Sequence, residues 1–247
     1  MTQVSSLHLY PLKGARGLTQ TRLRINPSQG VVNTRRFAIK RRADVPDTWG
    51  PKGKFRVCMN TAALAAEVPR FSAASDDWYA LDSAYLQDLA ERINGGRPLS
   101  ILDTQGAYAL TDSKTPYVSL LNLATVDALS TYVGRPVDPR RFRMDVWLSG
   151  LKPLEELSWV DAFPGTRRIS IGSMRLRVDD ACERCKAIEA SPTRGEYNFP
   201  LLEALEGFMH ANGYFGSPHR NVHTVMGILA CPETTGTITL GDKVTLL

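Results

Sequence analysis

The residues with the most chemistry within reach are Cys182 and Cys185. They sit in Asp179-Asp180-Ala181-Cys182-Glu183-Arg184-Cys185-Lys186, in C-x-x-C spacing with an arginine between them. Positive charge on Arg184 and Lys186, either side of Cys185, favours the thiolate, which attacks electrophiles and binds metals. Three other readings are open on spacing alone. The pair can be small buried apolar residues with no ligand. It can join His219 and His223, in H-x-x-x-H spacing, as a Cys₂His₂ zinc set, although the intervening segment far exceeds the usual interval of about 12 to 15 residues. It can exchange disulfides, although the surroundings do not read as a βαβ unit.

Strand-like residues, Met174 to Val178, lead into this stretch, and a turn-like one, Ser191 to Glu196, follows it. Alternation predicts further strands at Gln3–Leu12, Leu18–Ile25, Arg36–Lys40, Val222–Leu229 and Thr237–Leu246. Arg141 to Leu148 also alternates, which as a strand puts Arg143 and Asp145 on one face. Apolar spacing near 3.6 predicts helices at Asp82–Asn94, stopped by Gly95-Gly96, and from about Leu121 to Val133. Pro200 to Asn212 reads as a third, with proline in its first turn, and Thr61 to Val68 has a helix-favouring composition. Many short strands and few helices predict a mainly β chain with some helix. The expected division is residues 1–95 and 96–247.

Net charge is +5 over 247 residues, mildly basic and compatible with an anionic ligand. Arginines are not interleaved with aromatics, so no nucleic-acid platform is expected. No apolar run reaches the roughly 18 residues of a membrane span, and Met1-Thr2-Gln3-Val4 does not open a signal peptide. Four cysteines make no disulfide framework, so a reducing, cytoplasmic setting is expected. Cys58 and Cys231 read as buried and inert, His8 and His210 as structural, and Asp242 as a turn residue.

Several pieces stand in a known order: Tyr10-Pro11-Leu12-Lys13-Gly14, Arg36-Phe37, Arg141-Phe142-Arg143-Met144-Asp145, Cys182-Glu183-Arg184-Cys185, Ser191-Pro192-Thr193-Arg194-Gly195, and Gly236 to Asp242. Together they resemble the MOSC family (molybdenum cofactor sulfurase C-terminal domain) with the β domain that precedes it. More narrowly the chain looks like the molybdenum-dependent reductases of N-hydroxylated compounds. The resemblance implies a MOSC β-barrel packed with a smaller N-terminal β-barrel or sandwich domain. It implies a molybdenum cofactor (molybdopterin), with Cys185 as the metal's thiolate ligand. Lys13, Gly14, Arg36, Thr125, Arg143, Asp145 and Arg184 are its implied cofactor contacts, and Cys185 and Asp145 the catalytic positions. A soft thiolate suits this metal, and arginine forks suit a phosphate. The implied reaction reduces an N–O bond of a small N-hydroxylated or N-oxide substrate. No fused iron–sulfur module follows in this sequence, so an external electron-transfer protein is the expected donor. A non-catalytic carrier, of cofactor or of sulfur as a Cys185 persulfide, is the alternative.

Two departures stand out. Asp145 replaces the family's usual asparagine, exchanging a donor and acceptor for an acceptor when ionised. Gly14 stands where a serine often follows the lysine.

Overall fold

The structure is a computed structural model that describes residues 1–48, 50, 52–75, 78–160, 166–216 and 223–247. In chain order its strands and helices are β1 (Gln3–Leu9), β2 (Leu18–Gln20), β3 (Arg22–Asn26), β4 (Gly30–Val31), β5 (Phe37–Ile39), β6 (Phe71–Ser75), β7 (Trp78–Leu81), α1 (Ser83–Asn94), β8 (Ile101–Asp103), β9 (Val118–Asn122), α2 (Leu123–Tyr132), β10 (Val146–Ser149), β11 (Arg168–Ile171), β12 (Met174–Glu183), α3 (Leu201–Ala211), β13 (Val225–Pro232), β14 (Gly236–Thr239) and β15 (Val244–Leu246). The expected mainly β fold with some helix is what forms. Among the described residues no helix is long and apolar enough to cross a membrane.

The main sheet has eight strands in the order β15-β11-β12-β13-β9-β10-β1-β2. It is an open sheet rather than the expected closed barrel. Its ends approach without strand pairing: Gln3 and Lys243 form an isolated bridge, and Val244 N–H donates to the Thr2 carbonyl at 2.9 Å. β1 lies antiparallel to β10, which runs parallel to β9. A separate sheet pairs β14 with β3. The first strands thus share sheets with the last. They also share a core, in which Val4, Leu7, Leu23 and Ile25 pack with Val118, Val146, Leu176 and Ile228.

Local chemistry explains the helix boundaries. The Asp82 carboxylate accepts from Tyr85 N–H at 2.7 Å and starts α1. The Asn122 side chain accepts from Ala124 N–H at 3.0 Å, so Leu121 and Asn122 end β9 instead of opening the helix. The predicted strand Arg141–Leu148 is corrected. Pro139–Phe142 form a 3-10 turn capped by Asp138, Arg143 is left-handed at φ 53, and the strand begins at Val146. Phe142, Met144, Val146 and Leu148 are all buried, so the alternation was real, but a turn produces its first half. The predicted helix at Thr61–Val68 is a 3-10 turn, Ala62–Ala66. His219, and Val222 at the start of a predicted strand, lie outside the described residues.

Gly227, inside β13, shows how closely β13 and β9 approach. Its φ is +74, and a Cβ there would stand 2.3 Å from the Leu120 carbonyl oxygen and 2.7 Å from Met144 Cε. Gly227→Ala therefore forces both a disfavoured backbone and a backbone clash. Denaturant titration should show a loss of more than about 2 kcal/mol, and wild-type stability in this variant would contradict the packing described.

Candidate active site: a thiol-lined cavity between two loops

A cavity of about 410 Å³ opens where the loop after β1, the turn before β10 and the end of β12 meet. Of the predicted site residues, it brings together Lys13, Gly14, Arg143, Asp145, Arg184 and Cys185. β12 reaches Glu183, two bulges in its pairing with β13 shift its register, and Arg184 N–H donates to the Thr224 carbonyl at 2.7 Å. Cys185 then caps a 3-10 turn, Lys186–Glu189, and is half-buried. Arg141 secures the segment beyond it, donating to the carbonyls of Ile188 and Glu189, each at 3.1 Å, and to Asn198 Oδ1 at 2.7 Å.

Two arginines of the cavity are held by neutral acceptors. Arg143 Nη1 donates to the carbonyls of Gly14, at 3.1 Å, and Ala15. Arg184 Nη1 reaches Cys182 Sγ at 3.0 Å and Met144 Sδ at 3.4 Å, and its buried Nε has no partner. Neither bond set cancels the guanidinium charge. Lys13 differs: Nζ donates to the Leu110 carbonyl at 2.6 Å and to Asp112 Oδ1 at 2.9 Å. Burial pushes the Lys13 amine down from its ordinary value, and Asp112 opposes that.

Asp145 is buried in the cavity wall. Its Oδ2 accepts from Ser119 N–H at 3.0 Å and Ser119 Oγ at 2.6 Å. Oδ1 has no hydrogen bond and faces Arg35 Nη1 at 3.7 Å. Burial pushes this carboxyl up, against the pull of Arg35 and Ser119.

Two predicted contacts lie elsewhere. Arg36 does not line the cavity: it forms a bidentate pair with Asp103, Nε–Oδ1 at 2.7 Å and Nη2–Oδ2 at 2.8 Å. Arg35 lines the cavity in its place, because its left-handed backbone, φ 46, turns the chain just before β5. The ring of Tyr10 serves two of the cavity arginines, with Arg35 Cζ 5.5 Å and Arg143 Cζ 4.9 Å from its centroid. Thr125 is also outside. Its hydroxyl meets the Glu156 carboxylate at 2.9 and 3.0 Å, at the start of α2. The hydroxyl-bearing residues on the cavity are Thr111, Ser113, Tyr117 and Ser119.

Cys58 is a cavity residue that the sequence did not single out. It is buried, yet it lines the cavity with Cys182 and Cys185, and its Sγ donates to the Gly14 carbonyl at 2.8 Å. No spacing marks it. Gly14 itself has φ +91 and a Cβ there would stand 3.0 Å from Val57 Cα, which explains a glycine in place of the family serine. No group of three or more His, Cys, Asp or Glu among the described residues is placed to hold a metal ion; Cys182, Cys185 and His223 form no such group, and His219 lies outside the described residues.

The cavity of this mainly β protein is walled by cysteines and by arginines, side chains whose chemistry suits sulfur ligation and an anion. The MOSC domain matches residues 107–245, more than half of the chain, and the chain belongs to the MOSC family. It is 34% identical over 117 residues to a molybdenum cofactor sulfurase of Caenorhabditis elegans, an alignment covering 43% of this chain and 16% of that protein. Among solved structures it is similar to the YuaD protein from Bacillus subtilis, with 12% identity, TM-score 0.49, and 100% and 96% of the two chains covered. It is also similar to YiiM from Geobacillus stearothermophilus, with 15% identity, TM-score 0.35 and 53% of each chain covered. Family membership connects the chain to molybdenum-cofactor-related function.

Glu156, the partner of Thr125, generates a pH prediction. It is fully buried, and burial pushes its carboxyl from 4.5 up to about 7, against hydrogen bonds from Asn122 and Thr125. Between these values the folded state holds a proton that the unfolded state has released. Its contribution to stability is therefore complete below 4.5 and falls as pH rises towards 7. The total loss is of order 3 kcal/mol. The stability of wild type minus that of Glu156→Gln, from unfolding at several pH values, should fall across this window. A difference independent of pH would refute it.

Proposed function

We propose that this chain binds the molybdenum cofactor and reduces N-hydroxylated or N-oxide compounds, using electrons from a separate redox protein in a reducing, cytoplasmic setting. The observation that carries the reading is Cys185, half-buried at a cavity where the hydrogen bonds of Arg143 and Arg184 go to carbonyl and sulfur atoms. Membership in the MOSC family and the similarity to a cofactor sulfurase support it.

The residues fit such a group. The buried Arg184 Nε is a donor without an acceptor in the cavity wall. Cys185 would supply the protein sulfur. Lys13, Arg35 and Arg143 would hold the phosphate, and the Ser119 hydroxyl would face the cofactor from the wall that Asp145 braces. When bound, the cofactor supplies two-electron redox chemistry at its metal. The protein contributes orientation and charge. Arg143 is fixed by backbone carbonyls and Tyr10, and so meets an anion without first reorganising. Asp145 acts as a positioning group, holding Ser119 by hydrogen bonds and Arg35 by charge.

The second reading, a carrier of sulfur as a persulfide on Cys185, draws on the three thiols that share the cavity. Mass spectrometry for an added sulfur on Cys185, with no turnover of any N–O compound by a molybdenum-loaded preparation, would favour it.

Protein from a cofactor-competent host should carry near-stoichiometric molybdenum and reduce a hydroxylamine, amidoxime or N-oxide with an artificial donor. Cys185→Ser should lower kcat/KM by more than about 100-fold, beyond the loss expected from disturbing a supporting residue. Arg143→Lys should lower cofactor retention, because a point charge cannot reproduce the fork. A metal-free wild-type preparation from that host would overturn the reading.

A further inference from the structure

We propose that Cys58 and Cys185 form a reversible disulfide across the cavity when the chain meets a hydroperoxide, so that Cys58 is the resolving thiol for Cys185. Cys58 comes from a segment outside residues 107–245, in which Cys185 lies. Both line the same cavity, and both are free thiols. Cys58 packs with Ala187, inside the turn that Cys185 caps, and with Ala190, just after it. Tyr197 OH donates to the Cys58 carbonyl at 2.7 Å, while Lys186 Nζ lies 5.1 Å from the Tyr197 ring centroid. These contacts hold the two cysteine segments side by side.

The two thiols also differ as partners in such chemistry should. Cys185 is partly exposed at the cavity, within reach of a small oxidant, whereas Cys58 is buried at 2% exposure. Cys182 is the competing partner, but its sulfur accepts from Arg184 Nη1 at 3.0 Å and packs in a different apolar cluster, with Phe142 and Met144.

The chemistry balances. The Cys185 sulfur attacks one peroxide oxygen; an S–O bond forms, the O–O bond breaks, and water leaves when the oxidant is hydrogen peroxide. Sulfur is oxidised by two electrons to the sulfenic acid, and the peroxide is reduced by two. The Cys58 thiol then attacks that sulfur; an S–S bond forms, the S–O bond breaks, and a second water carries away the thiol proton. The disulfide withdraws Cys185 from any ligand until a dithiol restores it.

The test uses the full chain purified from a host that cannot make the molybdenum cofactor, so that no bound cofactor protects Cys185. After treatment with hydrogen peroxide and alkylation, mass spectrometry should show the loss of two hydrogens. Digestion should yield a Cys58–Cys185 cross-linked peptide that dithiothreitol removes. Cys58→Ser, which keeps a hydrogen-bond donor towards the Gly14 carbonyl, should stop at a Cys185 sulfenic acid trapped by dimedone. Cys182→Ser should still cross-link. A Cys182–Cys185 link, an intermolecular link, no link at all, or equal over-oxidation of Cys185 in wild type and Cys58→Ser would overturn the proposal. None of these readouts depends on reductase activity.

Discussion

The contact on which the cavity depends is the one between the Arg143 guanidinium and the backbone carbonyls of Gly14 and Ala15. It joins the turn before β10 to the loop after β1, residues nearly 130 positions apart. Its acceptors are neutral, so it positions the charge without cancelling it. The other basic side chains of the region show the alternative. Arg36 is matched by Asp103 and Arg140 by Asp138. Those pairs are structural, and each offers little field to a ligand. Inside a partly dry cavity an uncancelled guanidinium acts on an anion far more strongly than it would in water.

The short segment Arg141-Phe142-Arg143 distributes its side chains in opposite directions because it is a turn. Arg141 reaches the carbonyls that follow Cys185, Phe142 enters the core, and Arg143 reaches the loop at Gly14. One turn therefore sets the distance between the Cys185 segment and the Lys13 loop. On a strand, Arg141 and Arg143 would have shared a face and could not have held both. The left-handed backbone at Arg143 is the local cost of that arrangement.

Much of the fold was legible in the sequence, since helix caps and strand alternation are local signals. Asp82 before α1, Gly95 after it, and the alternation through β3 and β12 required no knowledge of partners. That Cys185, Lys13 and Arg143 come to one cavity was legible through the order of motifs. Arg35 was not, because nothing in Arg35-Arg36 says which of two adjacent arginines will follow a left-handed turn into the cavity. Thr125 failed for a related reason: its hydroxyl had a nearer partner in Glu156, some thirty residues ahead, and only the folded chain brings them together. Cys58 carried no spacing, and its position against the turn after Cys185 is a tertiary fact. The open sheet is another, since the approach of Thr2–Val4 to Asp242–Val244 is settled by isolated contacts rather than by a pairing pattern.

Arg35 in turn accounts for the departure at Asp145. An asparagine there could present its carbonyl oxygen to Ser119 N–H and Oγ. Its amide would then point where Oδ1 now lies, 3.7 Å from the Arg35 guanidinium, placing one donor against another. Aspartate meets both neighbours with acceptors. The same guanidinium donates to the Arg143 carbonyl at 3.3 Å and lies over Tyr10. Asp145, Arg35, Tyr10 and Arg143 are therefore a single linked set. The aspartate belongs to this chain's way of holding its arginines, and its burial is tolerated because an arginine faces the oxygen that no hydrogen bond reaches.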